Sequence, residues 1–546
     1  MKKLLMALLA LTLSLSSCGF IIVSDGNGKQ PEITTAPDTV DAPISGDHQD
    51  ESTADTSGTE NISEPEKASD RAKKRVDVLQ NGDFSGQSFI IATTSKMTFA
   101  PEAESYYDMA LLLRDSMVEE KYNIEIISVF ADDRLIEQEL VNSSLAEDYY
   151  ADLVSVPEYR VGGLAARGVI MNLRNLPFYG TVESYSDNSS AAYAGNAIYA
   201  DIGAASTDFS KIYAVFFNRS IAEGLGHDID RMVKDNEWTW ESFDKISRMA
   251  NEKLGIIGQG SYAMDDEYTD VVFRSANISL VDNALGKDPT ISFDSVSLEM
   301  AVEQACALIY GNPAAYKPAP SAEKNDIYKL FGEGKILFAV APLSAVSELA
   351  SCNLDWGIAP IPKMNEEQDR YYAYTEASAA VLAVPSENNK LDVTGLVIGA
   401  LNTASYELLS EEYKTHCLYN YLPNIKAMSL MDEILQSITF DFTYLYSSGA
   451  DLLASATHGA VREARKSTSD YATDLINARK EAADAQLGEL FGEISFPEDE
   501  YPVPPETEEL PETEELPETE DVPDTETEQE LETETEEAES TESETN

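Results

Sequence analysis

Between residues 88 and 168 the hydrophobic positions switch repeatedly between a period of two and a period near 3.6. Ser88-Phe-Ile-Ile-Ala-Thr-Thr94 is a short apolar run rich in β-branched residues, the pattern of a buried strand. Ser105–Tyr122 then carries Met109, Leu112, Leu113, Ser116 and Met117 at helical spacing, which predicts a helix. Ile124-Glu-Ile-Ile-Ser-Val-Phe130 predicts a second strand. Asp132 is placed to cap a helix running to about Glu147, with Leu135, Ile136, Leu140 and Leu145 inward. Asp152-Leu-Val-Ser-Val156 predicts a third strand, stopped by Pro157, and Glu158–Gly168 reads as a helix. Strands alternating with helices imply parallel βαβ units. Ligands of such sheets bind beyond the strand C-termini, here near Thr93–Met97 and Pro157–Arg160.

Later segments continue the pattern. Asp208–Arg219 is a strand-like run ending in a polar turn. Asp235-Asn-Glu-Trp-Thr-Trp-Glu-Ser-Phe243 reads as a turn into a helix capped by Thr239. Leu330–Val340 gives a glycine turn and a strand, and Asp355-Trp-Gly-Ile-Ala-Pro-Ile-Pro362 another strand with a Pro-X-Pro stop. Cys306 falls on an apolar helical face with Leu298, Val302, Ala305 and Ile309, as a buried thiol would.

The two ends differ from this body. Lys2 and Lys3 precede an apolar stretch, Leu4–Leu15, too short to span a bilayer, and Leu15-Ser-Ser-Cys18-Gly19 follows it. This resembles a lipoprotein signal, which implies residues 1–18 as the signal and Cys18 as the lipidated mature N-terminus. The protein is then expected at the cell membrane, outside the cytoplasm, held by acyl chains rather than by a span. Residues 19–85 are poor in large apolar side chains and read as a disordered linker. Residues 497–546 repeat Pro-Glu-Thr-Glu at a period of six and carry 23 acidic and no basic residues, the composition of a disordered, solvated acidic tail.

The whole chain of 546 residues has 98 acidic and 38 basic residues, a net charge of −60. That excess argues against nucleic acid as a partner, since phosphate contacts need clustered cations, and against charge-driven adhesion to an anionic membrane. Four cysteines are too few for a disulfide scaffold, although a Cys352–Cys417 bridge is open. His48, His227, His416 and His458 lack metal-ligand spacing, and Gly332-Glu-Gly-Lys335 lacks the spacing of a phosphate loop. Neither metal nor cofactor is expected. Acidic pairs such as Asp265 and Asp266 carry little weight as glycosidase signals in a chain this rich in acids.

The body, about residues 88–496, resembles the extracellular solute-binding proteins of ABC importers, in the broad sugar-binding, maltose-binding-protein-like group. The resemblance is carried by Asp152–Leu173, by Phe217-Asn218-Arg219, by Trp238-Thr-Trp240, by Phe331-Gly-Glu-Gly-Lys335 and by Gly357–Pro362, in that order; Gly258–Pro320 does not align. It implies a two-lobed α/β fold of the periplasmic-binding-protein type, with hinged lobes each built on a sheet flanked by helices. Lobe one is expected at about 86–210 plus 342–384, and lobe two at about 211–341 plus 385–496. It further implies a monomer that captures a small polar solute, a sugar or oligosaccharide, between the lobes and delivers it to a membrane permease, without catalysis. As ligand-binding residues it points to Tyr159 and Arg160 in the family's sugar loop, Asp208 and Lys211 at the first crossing, and Tyr374 and Glu376 on the returning segment. Maltose binders have an acid where Tyr159 stands and a tryptophan where Val156 stands, so a different solute is indicated. Trp240 and Trp356 are expected as packing residues. The competing readings are a surface structural or adhesive lipoprotein, for which the acidic tail speaks, and a carbohydrate-active enzyme, which would need two cleft carboxylates.

Overall fold

A computed structural model describes residues 66–446 apart from 183–185, 187, 254–259, 265–267, 317–324 and 377, together with scattered helical positions between 474 and 488. The signal sequence with Cys18, most of the expected linker and the acidic tail lie outside the described residues. The elements used below are helix α1 (Ala68–Asp77), strand β1 (Gln87–Thr93), α2 (Tyr106–Tyr122), β2 (Ile124–Phe130), α3 (Asp133–Ala146), β3 (Leu153–Pro157), β4 (Tyr213–Asn218), α4 (Trp240–Lys253), β5 (Tyr262–Met264), α5 (Tyr268–Ser275), β6 (Phe338–Pro342), β7 (Trp356–Ala359), β8 (Ala373–Tyr374), β9 (Ala380–Ala383), α6 (Leu391–Asn420), β10 (Ile438–Thr439) and α7 (Phe442–Leu445).

Two four-stranded sheets, one in each lobe, organise the body, as expected of a two-lobed α/β chain. The first has the order β9-β3-β1-β2. β1 pairs in parallel with both β2 and β3, through the helical crossovers α2 and α3, and β9 closes the sheet antiparallel to β3. The second has the order β7-β4-β6-β5. Here β4 is antiparallel to both its neighbours, and β5 runs parallel to β6.

Local sequence explains the boundaries. Ser105 caps α2 by accepting the Asp108 amide while the Asp108 carboxylate accepts the Ser105 amide, a reciprocal capping box. Asp132 caps α3 through the Arg134 amide. Thr239 starts α4 as expected: its hydroxyl accepts the Ser242 amide at 3.3 Å, and the Ser242 hydroxyl accepts the Thr239 amide at 2.9 Å. Trp240 and Trp356 are both fully buried packing residues; the Trp240 indole donates to Ser275 Oγ at 2.8 Å.

The helices are rotated from the expected phase. In α2, Met109 and Leu113 are exposed, while Tyr107, Ala110, Leu111, Arg114, Met117, Val118 and Tyr122 are buried. In α3, Leu135 and Leu145 are exposed and Ile136 and Leu140 are buried. Arg114 is the reason in α2: its guanidinium lies buried over the Phe99 ring at 4.4 Å and bonds Asp115 at 2.8 Å, so a charged residue holds a core position. Cys306 is half-buried rather than enclosed, and Cys352 and Cys417 are thiols, not a bridge.

Three boundaries also differ from expectation. Residues 66–85 belong in part to the ordered body, not to a linker. Ala72 and Val76 of α1 are buried, and Arg71 and Arg75 reach Glu407 of α6 at 2.9 and 2.6 Å. Residues 356–359 belong to the second sheet rather than to lobe one. All six residues of β4 are buried, so a strand is needed on each of its edges, and β7 supplies one. The first half of α6 covers the first sheet rather than lobe two, packing Val393, Leu396, Val397 and Leu401 with Phe89, Ile91 and Leu153. Its second half runs on to the junction, where Tyr413 meets Tyr107 and Phe209 with ring centroids 5.5 and 5.3 Å apart.

If the body begins before residue 86, Val76→Asp must place an unpaired charge against α6. The expected loss is on the order of 3 kcal/mol in urea unfolding, and an unchanged midpoint would return this segment to the linker.

Candidate functional site

Two crossings between the sheets run side by side. The first, around Thr207–Ile212, follows Ser206; the second leads from β8 to β9. Ile212 bridges Thr375, and the Glu376 amide donates to the Lys211 carbonyl at 3.1 Å. The C-terminal end of β3 is tied to the second crossing, because the Glu158 amide donates to the Ala379 carbonyl at 2.9 Å. The residues after β1 and after β3 are therefore carried to the place where the chain changes sheet, the position expected for ligand in such folds.

Asp208, Lys211 and Glu376 are brought together there. Asp208 is buried and accepts the Ser95 hydroxyl at 2.7 Å, the Ser210 amide at 3.1 Å and the Ser210 hydroxyl at 2.5 Å. Burial raises its carboxyl above the ordinary range, against the opposing pull of Ser210, Ser95 and Lys211. Lys211 Nζ donates to Glu376 Oε2 at 2.6 Å, and Ser378 Oγ donates to the same oxygen at 3.0 Å. Ser95 ties the loop after β1 to the first crossing; Lys211 and Glu376 tie the crossings to each other.

Tyr159 and Arg160 form a separate group with α3. The Tyr159 hydroxyl donates to Asp133 Oδ2 at 2.6 Å, and Arg160 donates to the same oxygen at 2.6 and 3.1 Å and to Glu137 at 2.7 Å. Burial would raise the Asp133 carboxyl, but the Tyr159 and Arg160 hydrogen bonds outweigh it and bring it down to about 2. Tyr374 is buried on β8, with its ring 5.3 Å from Tyr213 and 5.9 Å from Tyr444.

Between these groups lies a buried cluster that the sequence reading did not single out. Glu158, the residue after Pro157, is 3% exposed, and its Oε2 has no hydrogen-bond partner among the described residues. Across from it stand Arg274 and Asp270 of α5 and Asp441 and Tyr444 at the start of α7. Arg274 pairs with Asp441 at 3.1 Å and lies over the Tyr444 ring at 4.5 Å, and the Tyr444 hydroxyl donates to Asp270. Burial pushes the Glu158 carboxyl well above the ordinary range; Arg274 pulls it down, while Asp441 and Asp270 push it further up. For Asp441, burial is outweighed by Arg274, which holds that carboxyl below its ordinary value. The cluster thus contains a fixed ion pair and an acceptor that no described residue satisfies. It can bind hydrogen-bond donors. Its signal in the sequence was the position of Glu158 at a strand C-terminus; Arg274 lies in the stretch that aligned with nothing.

A groove of about 800 Å³ opens elsewhere, lined among others by Arg71, Arg75, Phe209, Glu407 and Gln436. Its two α1 arginines already engage Glu407.

No family model matches the chain, and no curated protein matches it. Among solved structures it is similar to the GacH receptor of Streptomyces glaucescens GLA.O, at 14% identity and a TM-score of 0.46 over 74% of this chain and 98% of that one. It is similar to the sugar-binding protein MalE from Xanthomonas citri at 12% identity and a TM-score of 0.49, over 74% and 98% of the two chains. It is also similar to the galacto-N-biose-/lacto-N-biose I-binding protein of Bifidobacterium longum at 12% identity and a TM-score of 0.47, over 75% and 99%.

The Asp133 group predicts a pH effect. A carboxyl lowered to about 2 in the folded chain adds stability that is present above its ordinary pKa near 4 and is lost as pH falls toward 2. Asp133→Asn should therefore lower unfolding stability at pH 7 by up to about 2 kcal/mol, and the gap to wild type should narrow as pH falls below about 4 and close below about 2. Parallel pH profiles for the two proteins would contradict this.

Proposed function

We propose that this chain is a lipid-anchored solute-binding protein of an ABC importer, holding a small polar solute, a sugar or oligosaccharide, between its lobes and passing it to a membrane permease. The observation that carries the reading is the Glu158 carboxyl oxygen, buried where the lobes meet and without a partner among the described residues, beside the Arg274–Asp441 pair. Leaving such an acceptor unsatisfied is costly, and a solute hydroxyl removes the cost. The two-sheet architecture with adjacent crossings and the order of the sequence motifs support the same reading.

On this reading the work is differential binding. Contacts from one lobe (Glu158, Tyr159, Arg160) and from the other (Arg274, Asp441) favour the closed arrangement more strongly when a solute joins them. Lys211 and Glu376 sit on the crossings that must bend, and Asp208 fixes the loop after β1 against the first of them. Cys18 would supply the anchor. The chain itself carries out no bond-making step.

Calorimetric titration of the full chain against neutral mono- and oligosaccharides, with product analysis of each mixture, tests this. At least one sugar should bind without being altered, and Arg274→Met should weaken that binding about tenfold or more, equivalent to about 1.4 kcal/mol. Silence across the panel would favour a structural surface protein, and released product would favour an enzyme.

A further inference from the structure

Glu158 is enclosed by groups from every element packed around it. From α5 it faces Asp270 and Arg274, and from the start of α7 Asp441 and Tyr444. Its sequence neighbours Tyr159 and Arg160 turn to Asp133 and Glu137 of α3. On the crossings, Glu376 is engaged by Lys211 and Ser378. Arg274 is the cation of the group facing Glu158 from the second lobe, and Asp441 already occupies it at 3.1 Å. An ionised Glu158 would add a further negative charge to a dry junction that also holds Asp441 and Asp270. A protonated one adds none.

We infer that Glu158 is a proton-operated latch between the lobes: protonation allows the junction to close around it without a solute, and ionisation parts it. The inference rests on the two lobes being able to separate, as the proposed function requires, but not on any solute being bound.

The direction follows from linkage. With the lobes apart, Glu158 meets water and titrates as an ordinary glutamate; in the closed junction burial and the carboxylates of Asp441 and Asp270 hold its proton on to higher pH. The closed form therefore binds the proton more tightly. Closure is fully favoured below the ordinary glutamate range and is lost as pH rises, with the closed-to-open ratio changing about tenfold per pH unit in the interval between the two pKa values. A solute donor to Glu158 Oε2 would oppose that loss, so capture would be strongest, and release slowest, at the acid end.

The test is an interlobe distance, measured by pulsed electron paramagnetic resonance on the solute-free full chain with genetically encoded spin labels at two exposed positions, Glu125 on β2 and Lys234 in the second lobe. Between pH 5 and pH 9 the short-distance population of the wild type should give way to a longer one. Glu158→Gln, a neutral isostere, should keep the short distance throughout. Asp270→Asn, which removes one of the charges that raise Glu158, should move the transition to lower pH and reports on the same latch should Glu158→Gln fail to fold. A distance that does not change with pH, or a pH response that survives in Glu158→Gln, overturns the latch. Lobes that move with a sugar but not with pH would overturn the latch alone; lobes that move with pH but bind no sugar would leave the latch standing and count against the proposed function.

Discussion

A carboxyl group enclosed at the meeting of two lobes, with one oxygen unpaired, is the constraint around which this structure is arranged. Burying an isolated carboxylate costs far more than a domain's margin of stability can absorb, so Glu158 must be neutral, or satisfied from outside the chain, or exposed. Each of these choices belongs to a different state of the molecule. The surrounding groups make the choice sharp: Arg274 is near enough to help but is held by Asp441, and Asp270 adds charge of the wrong sign. Other buried acids are better provided for: Asp208 accepts three hydrogen bonds, and Asp152 receives Lys390, the Tyr149 hydroxyl and the Ile90 amide on Oδ2, with its Oδ1 left unpaired among the described residues.

The chain's path explains how such a group comes to be buried at all. One polypeptide builds two sheets by leaving the first after Ser206, returning to it through β9 and departing again at the end of α6. Each crossing brings backbone and polar side chains into the same narrow region. Parallel strands end with their C-termini facing that region, so the residues after β1 and β3, Ser95 and Glu158, are delivered to it by topology. The neighbouring antiparallel crossings are joined at Ile212 and Thr375 and by the Lys211–Glu376 pair.

Much of this was legible in the sequence where periodicity is local. The first three strands, the Asp132 and Thr239 caps and the Pro157 stop were all readable because each depends on residues within a few positions. The phases of α2 and α3 were not, because Arg114 takes a core position that its charge disguises, and Leu135 and Leu145 are left in solvent. The partition of the lobes failed for a different reason: β7 and α6 are apolar in ways that suit either sheet, and their choice depends on which edge or face is still uncovered. The site divided along the same line. Its general place beyond β1 and β3 followed from strand order, and Asp208, Lys211 and Glu376 do meet. Arg274 and Asp441, which complete the Glu158 cluster, lie far along the chain and carry no motif.

The most direct measurement is the protonation state of Glu158 itself, read as an infrared difference spectrum between the wild type and Glu158→Gln from pH 5 to pH 9 without solute. The account requires a carbonyl stretch of a protonated carboxylic acid in the wild type that is missing from the variant and disappears from the wild type as pH is raised. A spectrum showing only an ionised carboxylate at that position across the whole range would mean that Glu158 is open to water or fully paired throughout, and the account of the junction would be wrong.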